Sequence, residues 1–378
     1  MKRIGIVTNY DEYNFGNRLQ NYAAQTVLER MGMQVKTIVP AKRFYTSKKK
    51  RLLFLANRLV CSVCSSLLVK KKPNAVRRYR SDRFNRNIHF HLVPCENNQL
   101  PTSLADQYDA FVAGSDQVWN PYFWKFSLGS DEAGFNNYLL LFARAEQRKC
   151  FSPSIGMNEL PKQWEKPFTE AWNTYRDIAV RENEGADLVR KMTGRNDVQV
   201  TVDPTLMLDA KDWELVMRKH PSRPSQKYVL YMLLGEESEE IPSEKREYLR
   251  ELLAQKGMTR VSLFVIQKPN FYASSAGEFL DLISHAELVV TDSFHGTVFS
   301  FLFGKPFLLF KRNLSKYGID MSSRTNTLLN LLALTHKKTE NQRWEETQIW
   351  DCDYTQGWAN LREAREKTRI FLEKSLEI

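Results

Sequence analysis

Short apolar runs recur along this chain, each followed by a polar turn and then by a stretch with helical periodicity, and this alternation constrains the fold more than any other feature. Apolar runs of about 4–8 residues suit parallel strands buried on both faces, which need helices to cross between them. Arg3-Ile-Gly-Ile-Val-Thr8 opens the series, with a helical pattern from Asn17 to Met31. Gln34–Val39, Tyr108–Ala113, Cys150–Ser152, Asp177–Val180 and Val198–Val202 read as further strands, with a helix over Glu182–Met192. The alternation restarts after Asp203-Pro-Thr205. Strands are expected at Tyr228–Leu234, Val261–Ile266, Glu287–Thr291 and Pro306–Phe310, separated by helices at Glu239–Gln255, Gly277–Ser284 and Gly296–Phe303. A charged amphipathic helix, Gln356–Leu376, closes the chain. The expectation is an α/β protein of two Rossmann-like lobes facing a cleft, 1–207 and 208–378, since 378 residues exceed one ordinary core.

Charge is unevenly spread. The chain carries a net charge of +11, yet residues 42–86 hold 15 basic residues and a single acid, Asp82, leaving 40 basic against 43 acidic residues elsewhere. Within this basic segment, 52–69 is mainly apolar and flanked by Lys48-Lys-Lys-Arg51 and Lys70-Lys-Lys72. Basic flanks and the internal Arg58 argue against a membrane-crossing helix. Two readings stay open: an interfacial helix on an anionic membrane, or an amphipathic helix covering the first lobe with its lysines in water. A nucleic-acid binder is the third use of such a segment, but few aromatics are present for base stacking and no nucleic-acid motif occurs. Met1–Tyr10 runs straight into the first strand pattern without a leader-like stretch, so a cytoplasmic protein is expected. The five cysteines have no framework spacing, and Cys61-Ser-Val-Cys64 lacks a second pair or a nearby histidine; no metal site is expected.

In a parallel α/β sheet, ligands gather at the carboxyl ends of strands. The densest polar cluster there is Thr291-Asp292-Ser293-Phe294-His295-Gly296-Thr297, where a strand ends and a helix opens. A helix amino terminus attracts phosphate or carboxylate, and His295 is able to donate a proton or hold an anion as imidazolium. The alternative makes Asp292 and Ser293 helix caps. A second cluster, Gly114-Ser115-Asp116-Gln117-Val-Trp119-Asn120-Pro121, offers Asp116 as a base or hydroxyl acceptor and Trp119 as a stacking face for a sugar; against this stand an Asx-type turn and a core tryptophan. Gly16 and Asn17 form an anion-friendly corner at the start of the first helix, without the Gly-x-Gly-x-x-Gly spacing of a dinucleotide site. Arg181 ends a strand and suits a bidentate clamp on carboxylate or phosphate; Asp203 ends the next, and either suits half of a structural ion pair equally. No phosphate-loop, nucleophile-elbow, His-Glu-x-x-His or calcium-loop pattern occurs. Asp351-Cys-Asp353 matches a nucleotide-sugar metal pattern only over three residues and lies outside both expected sheets.

With these clusters in order, the chain resembles the polysaccharide pyruvyl transferase family. The matching stretches are Phe15-Gly-Asn-Arg-Leu-Gln-Asn-Tyr-Ala23, Gly114-Ser-Asp-Gln-Val-Trp-Asn-Pro121, Val180-Arg-Glu182, Val202-Asp-Pro-Thr-Leu206, Thr291-Asp-Ser-Phe-His-Gly-Thr297 and Gly304-Lys-Pro-Phe307. One departure is Ser152-Pro-Ser-Ile-Gly156, where an Ala-Ser-Phe-Gly-like loop is more usual. The resemblance implies a glycosyltransferase-B-like pair of lobes that moves the enolpyruvyl group of phosphoenolpyruvate onto a sugar of a cell-surface polysaccharide, or of its polyprenyl-linked precursor, forming a pyruvate ketal. It implies phosphoenolpyruvate as a substrate, no cofactor and no metal. On that basis His295 is expected as phosphate partner and general acid, Arg181 as clamp and Asp116 as the residue facing the acceptor hydroxyl. Asn17, Arg18, Ser115, Gln117, Trp119, Asn120, Asp292, Ser293, Phe294, Gly296 and Thr297 are expected to line the substrates. The leading alternative is a nucleotide-sugar-dependent glycosyltransferase of the same fold, because a helix terminus serves a diphosphate equally well.

Overall fold

A computed structural model describes residues 1–11, 13–41, 60–61, 65, 67–235, 237, 241–312, 322–340 and 345–378. Five strands form the first sheet: β1 (Arg3–Val7), β2 (Gln34–Ala41), β3 (Phe90–Pro94), β4 (Ala110–Ala113) and β5 (Arg148–Cys150). Their order is β3-β2-β1-β4-β5, and every pairing is parallel. A parallel pair comes next in the chain, β6 (Ala179–Val180) with β7 (Gln199–Val200). The second sheet holds β8 (Tyr228–Met232), β9 (Thr259–Ser262), β10 (Leu288–Thr291) and β11 (Phe307–Leu309), ordered β11-β10-β8-β9 and again wholly parallel. All residues of β4, β8 and β10 are buried, as continuous apolar runs require of strands covered on both faces.

The expected alternation is therefore present, and the differences include two strands. The sequence pattern places no strand between the basic segment and Tyr108, whereas β3 lies there as an edge strand. Its residues are mostly half-exposed, with Leu92 open to water, so it carries no apolar run to read. The strand expected over Val261–Ile266 stops at Ser262, because Phe264 takes a left-handed φ of 64° and turns the chain.

Among the described helices, seven shape the site and the contact between the lobes: α1 (Phe15–Arg30), α2 (Pro73–Asn85), α3 (Asn183–Thr193), α4 (Ala276–Ser284), α5 (Phe294–Leu302), α6 (Ser322–Leu331) and α7 (Thr355–Leu376). The lobes meet through α1. Phe15 stacks on Phe279 of α4 with ring centroids 5.3 Å apart, and Tyr22 reaches Trp213, which packs edge-on against Phe299 of α5. Burying Phe15 alone contributes about 1.5–3 kcal/mol. Helix α7 starts on the second lobe, where Trp358 lies 4.6 Å from Phe301, and ends on the first, where Thr368 accepts from the Val202 N–H and Lys2 donates to the Leu376 carbonyl.

Most of the described part of the basic segment is α2, and it serves the lobe contact. Arg80 lies 3.6 Å from the Glu278 carboxylate with both side chains buried, while the Arg77 guanidinium sits 4.7 Å over Tyr272. Most of the expected interfacial helix, and Cys64 with it, lies outside the described residues. Among the described residues, no helix is long and apolar enough to cross a membrane.

Both sheets have a switch point, where successive crossovers leave to opposite sides and a crevice opens at the strand ends. In the first sheet it falls between β1 and β4, and in the second between β8 and β10. The residues after these strands, with those after β6 and β7, form the site.

Candidate active site

Asp203 is the centre of the arrangement. It lies just after β7 and is fully buried, and each of its oxygens is occupied. Oδ1 accepts from the Thr205 N–H at 2.9 Å and the Thr205 hydroxyl at 2.6 Å; Oδ2 accepts from Arg181 Nη1 at 2.6 Å and the Ser115 hydroxyl at 2.8 Å. Burial opposes its charge, but Arg181, His295 and the Thr205 donors outweigh that and hold the carboxyl at about 2. His295 Nε2 stands 3.8 Å from the same Oδ2.

Arg181 spends only one edge on this pair. Nη1 also donates to Ser115 Oγ at 3.2 Å, and the Phe294 ring lies 4.4 Å beneath the guanidinium. Its Nε and Nη2 are buried and find no hydrogen-bond partner among the described residues, and the same is true of His295 Nε2. Buried donors are normally satisfied, so adjacent orphans of this kind call for an explanation. A bound anion supplies one: it would face half of a guanidinium fork and an imidazole together. Burial by protein alone pushes the His295 imidazole below its ordinary value, Arg181 adding to this while Asp203 and Asp116 oppose it.

Asp116 approaches from the first lobe, immediately after the β4 crevice. Its backbone is left-handed, with φ 78°, a conformation that persists only where its surroundings enforce it. The Asp116 carbonyl accepts from the Val118 and Ser154 N–H groups, which fixes the turn. The carboxylate accepts from Asn17 Nδ2 at 2.9 Å, Asn9 Nδ2 at 3.5 Å and the Gln117 N–H at 2.8 Å. Burial raises its pKa, but Arg181, the Asn17 amide and His295 bring it below the ordinary value. It is an ionised acceptor, better suited to orienting a hydroxyl than to removing a proton in the ground state. Asn17 is held in turn by the Asp11 N–H, and Arg18 donates to the Asn9 carbonyl at 2.9 Å while stacking 4.6 Å over Tyr10.

Other expected site residues have different employment. Trp119 is fully buried, donates to the Tyr138 carbonyl at 3.0 Å and packs against Trp172 and Tyr175; it is a core tryptophan and offers no stacking face to a sugar. Asn120 caps the short turn at Pro121–Phe123 and donates to Gln117 Oε1 at 3.1 Å, so both amides are internal to the loop. Asp292 accepts from the Leu234 and Gly235 N–H groups and from Arg312 Nε at 3.0 Å, fastening the loop after β8 across the second switch point. Ser293 is the cap of α5, accepting from the Gly296 N–H. Gly296 allows α5 to sit against β10, since a Cβ there would lie 2.3 Å from Thr291 Oγ1, and Thr297 is buried with its hydroxyl on the Ser293 carbonyl. These contacts brace the site from within the protein.

Glu182 was legible only as part of a motif, and its task is structural: Oε1 accepts from Ser154 Oγ and from the Ile155 and Gly156 N–H groups, which shapes the unusual Ser152-Pro-Ser-Ile-Gly156 loop. Arg312 and Arg324 belong to no motif and reach the site by tertiary folding alone. Among the described residues, no group of three or more His, Cys, Asp or Glu side chains could hold a metal ion.

The model of one family, polysaccharide pyruvyl transferase, matches residues 14–313, a stretch that contains Asn17, Asp116, Arg181, Asp203 and His295. The chain belongs to the polysaccharide pyruvyl transferase family. No curated protein sequence matches it. Among solved structures, it is similar to the UDP-GlcNAc 2-epimerase from Methanocaldococcus jannaschii (TM-score 0.42, 11% identity, 97% of this chain and 99% of that chain covered). It is also similar to S. aureus MnaA solved with UDP (TM-score 0.44, 11% identity, 100% and 97% covered) and to the E. coli heptosyltransferase WaaC with ADP-2-deoxy-2-fluoro heptose (TM-score 0.35, 12% identity, 81% and 88% covered). In this chain the stretches that carry the resemblance coincide with the site: the Phe15–Ala23, Gly114–Pro121, Val180–Glu182, Val202–Leu206 and Thr291–Thr297 segments each send at least one side chain to the cluster around Asp203 or brace one that does.

Proposed function

We propose that this family member transfers the pyruvyl group of phosphoenolpyruvate to a pair of hydroxyls on a glycan, forming a ketal and releasing phosphate. The observation that carries the reading is the open edge of Arg181 beside Nε2 of His295, two buried donor sites that fit a phosphate next to a carboxylate. The enol carbon chain must gain a proton at its methylene, and the first sugar hydroxyl adds to the carbon bearing the phosphate ester. The carbon–oxygen bond to phosphate then breaks, and the second hydroxyl closes the ketal; one hydroxyl proton balances the methyl group formed and the other leaves with phosphate. His295, charged once a phosphate dianion lies against it, is the acid. Asp116 and Asn17 orient the acceptor from the first lobe.

The test incubates the full chain with phosphoenolpyruvate and glycan acceptors, measuring released phosphate and product mass. Acceptor-dependent phosphate release with a product heavier by pyruvate less water is expected. Product formation only with a nucleotide sugar would replace this reading with the glycosyltransferase.

Gly16 gives a further prediction. A Cβ at this position would lie 2.1 Å from His295 Nδ1, so the first turn of α1 and the imidazole meet only because residue 16 has no side chain. Gly16→Ala is expected to displace the imidazole and lower kcat by at least about 10-fold, a misplacement effect, while denaturant unfolding stays cooperative. Wild-type kcat in Gly16→Ala would show that the imidazole's position is unimportant.

A further inference from the structure

Asn9 stands at the first switch point with an unused oxygen. It follows β1, and Asp116 follows β4, the strand that pairs with β1 across the crevice. The two strand ends are tied together beneath it: Thr8 donates to the Ser115 carbonyl at 2.8 Å, and Gln20 Nε2 donates to the Thr8 hydroxyl at 2.9 Å. Arg18 Nη2 holds the Asn9 carbonyl. The side chain is held far less. Its Nδ2 reaches Asp116 Oδ2 only at 3.5 Å, the far edge of hydrogen-bonding range, and its Oδ1 is buried with no partner. An ionised carboxylate accepts and cannot donate, so the amide nitrogen is the atom that faces it and the orphan is the oxygen. Other amides of the site show what a structural asparagine does: Asn17 Oδ1 takes the Asp11 N–H at 3.0 Å, and Asn120 Oδ1 takes the Tyr122 N–H at 3.1 Å. A buried acceptor without a donor is unfavourable until a donor arrives.

We propose that Asn9 is an acceptor-specificity residue: Oδ1 receives one hydroxyl of the glycan while the Asp116 carboxylate receives its neighbour, so that the site reads a pair of free, adjacent hydroxyls. The proposal rests on the ketal-forming reading and deepens it by naming the acceptor class. A ketal carbon bridges two hydroxyls, which must therefore lie side by side, and two acceptors side by side match two O–H donors. The hydroxyl on Asp116 adds first. Once phosphate leaves, the carbon is a cation carrying the methyl, the carboxylate and the first sugar oxygen. The hydroxyl held by Asn9 then adds to it and loses its proton to the departing phosphate. With that hydroxyl out of place, water adds instead. The resulting hemiketal collapses to free pyruvate and unchanged glycan, so that phosphoenolpyruvate and water have become pyruvate and phosphate.

The test gives the full chain methyl glucoside, methyl galactoside and methyl mannoside, each with all hydroxyls free and as its singly O-methylated ethers. Binding is measured by NMR titration; with phosphoenolpyruvate present, so are the phosphate, ketal and free pyruvate formed. Wild type is expected to bind at least one glycoside and to lose about 10-fold or more in affinity when either hydroxyl of one adjacent pair is methylated, because a site built to bond a hydroxyl rejects the analogue without it. Asn9→Ala and Asn9→Leu should bind that glycoside about 10-fold more weakly and no longer respond to methylation of one of the two hydroxyls. They should also turn a larger share of the phosphoenolpyruvate they consume into free pyruvate, while phosphoenolpyruvate affinity stays within about 2-fold of wild type. Asn9→Ser, which keeps an acceptor oxygen, should recover part of the affinity. Two apolar replacements guard against one failing to fold. Wild type that binds none of the glycosides, or a folded apolar variant that keeps the wild-type affinity and response to methylation, overturns the proposal without touching the donor reading. If the glycosides bind as expected but wild type releases no phosphate from phosphoenolpyruvate, the donor reading fails while Asn9 stands as a hydroxyl ligand.

Discussion

His295→Ala is expected to lower the rate of phosphate release from phosphoenolpyruvate by about 10²–10⁴-fold, the range for loss of a positioned general acid. Stability should change little by comparison, because the Nε2 that is lost makes no hydrogen bond with any described residue. The pH dependence separates this role from a packing role. Burial holds the free imidazole below its ordinary value, so the charged form needed for proton donation is lost at comparatively low pH in the free enzyme. A phosphate dianion favours the imidazolium and moves the titration upward. Hence kcat/KM, which reports the free enzyme, should fall as pH rises through the depressed value, whereas kcat should hold to higher pH. Residual activity in His295→Ala should lack this separation. A variant whose profiles still diverge as in wild type would remove His295 from the proton transfer.

Arg181→Ala is expected to damage both stability and turnover. It strips Asp203 of its cation and leaves a buried carboxylate held only by Ser115 and Thr205, a change that costs about 3–5 kcal/mol. Asp203 in the wild type is held at about 2, below its unfolded value, so its contribution to stability is present above that unfolded value and is lost as pH falls toward about 2. Without Arg181 the Asp203 carboxyl moves up, and acid unfolding should begin at higher pH. The double replacement Arg181→Ala with Asp203→Asn should regain much of the stability, since the uncompensated charge is gone, yet remain inactive. Recovery of turnover in that double variant would mean that Arg181 serves only to neutralise Asp203. Arg181→Lys should not substitute, because a point charge cannot hold Asp203 on one edge and an anion on the other.

The architecture was legible because parallel strands buried on both faces leave continuous apolar runs, and because the residues after β1, β4 and β10 are polar where the strands stop. The clustering at Asp116, Arg181 and His295 was readable for the same reason. What failed to read was direction. Trp119 sits among Asn, Gln and Pro in a loop at a strand end, and nothing in that string shows that its ring turns into the core to meet Trp172. Asp292 was expected to line the substrates or to cap α5, but its oxygens are needed by the backbone of a loop some sixty positions earlier in the chain, a long-range demand without local pattern. Arg312 and Arg324 lie outside the motifs that single out the site in the sequence, and are made relevant only by where β11 and α6 place them. In the basic segment, charge density alone did not show that two of the described arginines, Arg77 and Arg80, engage the second lobe.

A crystal structure of the complex with phosphoenolpyruvate tests the assignment of Arg181 and His295 to the donor most directly. Anionic oxygens of the donor are expected about 3 Å from Arg181 Nε or Nη2 and from His295 Nε2, with the enol carbon facing the Asp116 side of the cleft. A donor seated elsewhere, with that edge of Arg181 and Nε2 of His295 left untouched, would contradict it.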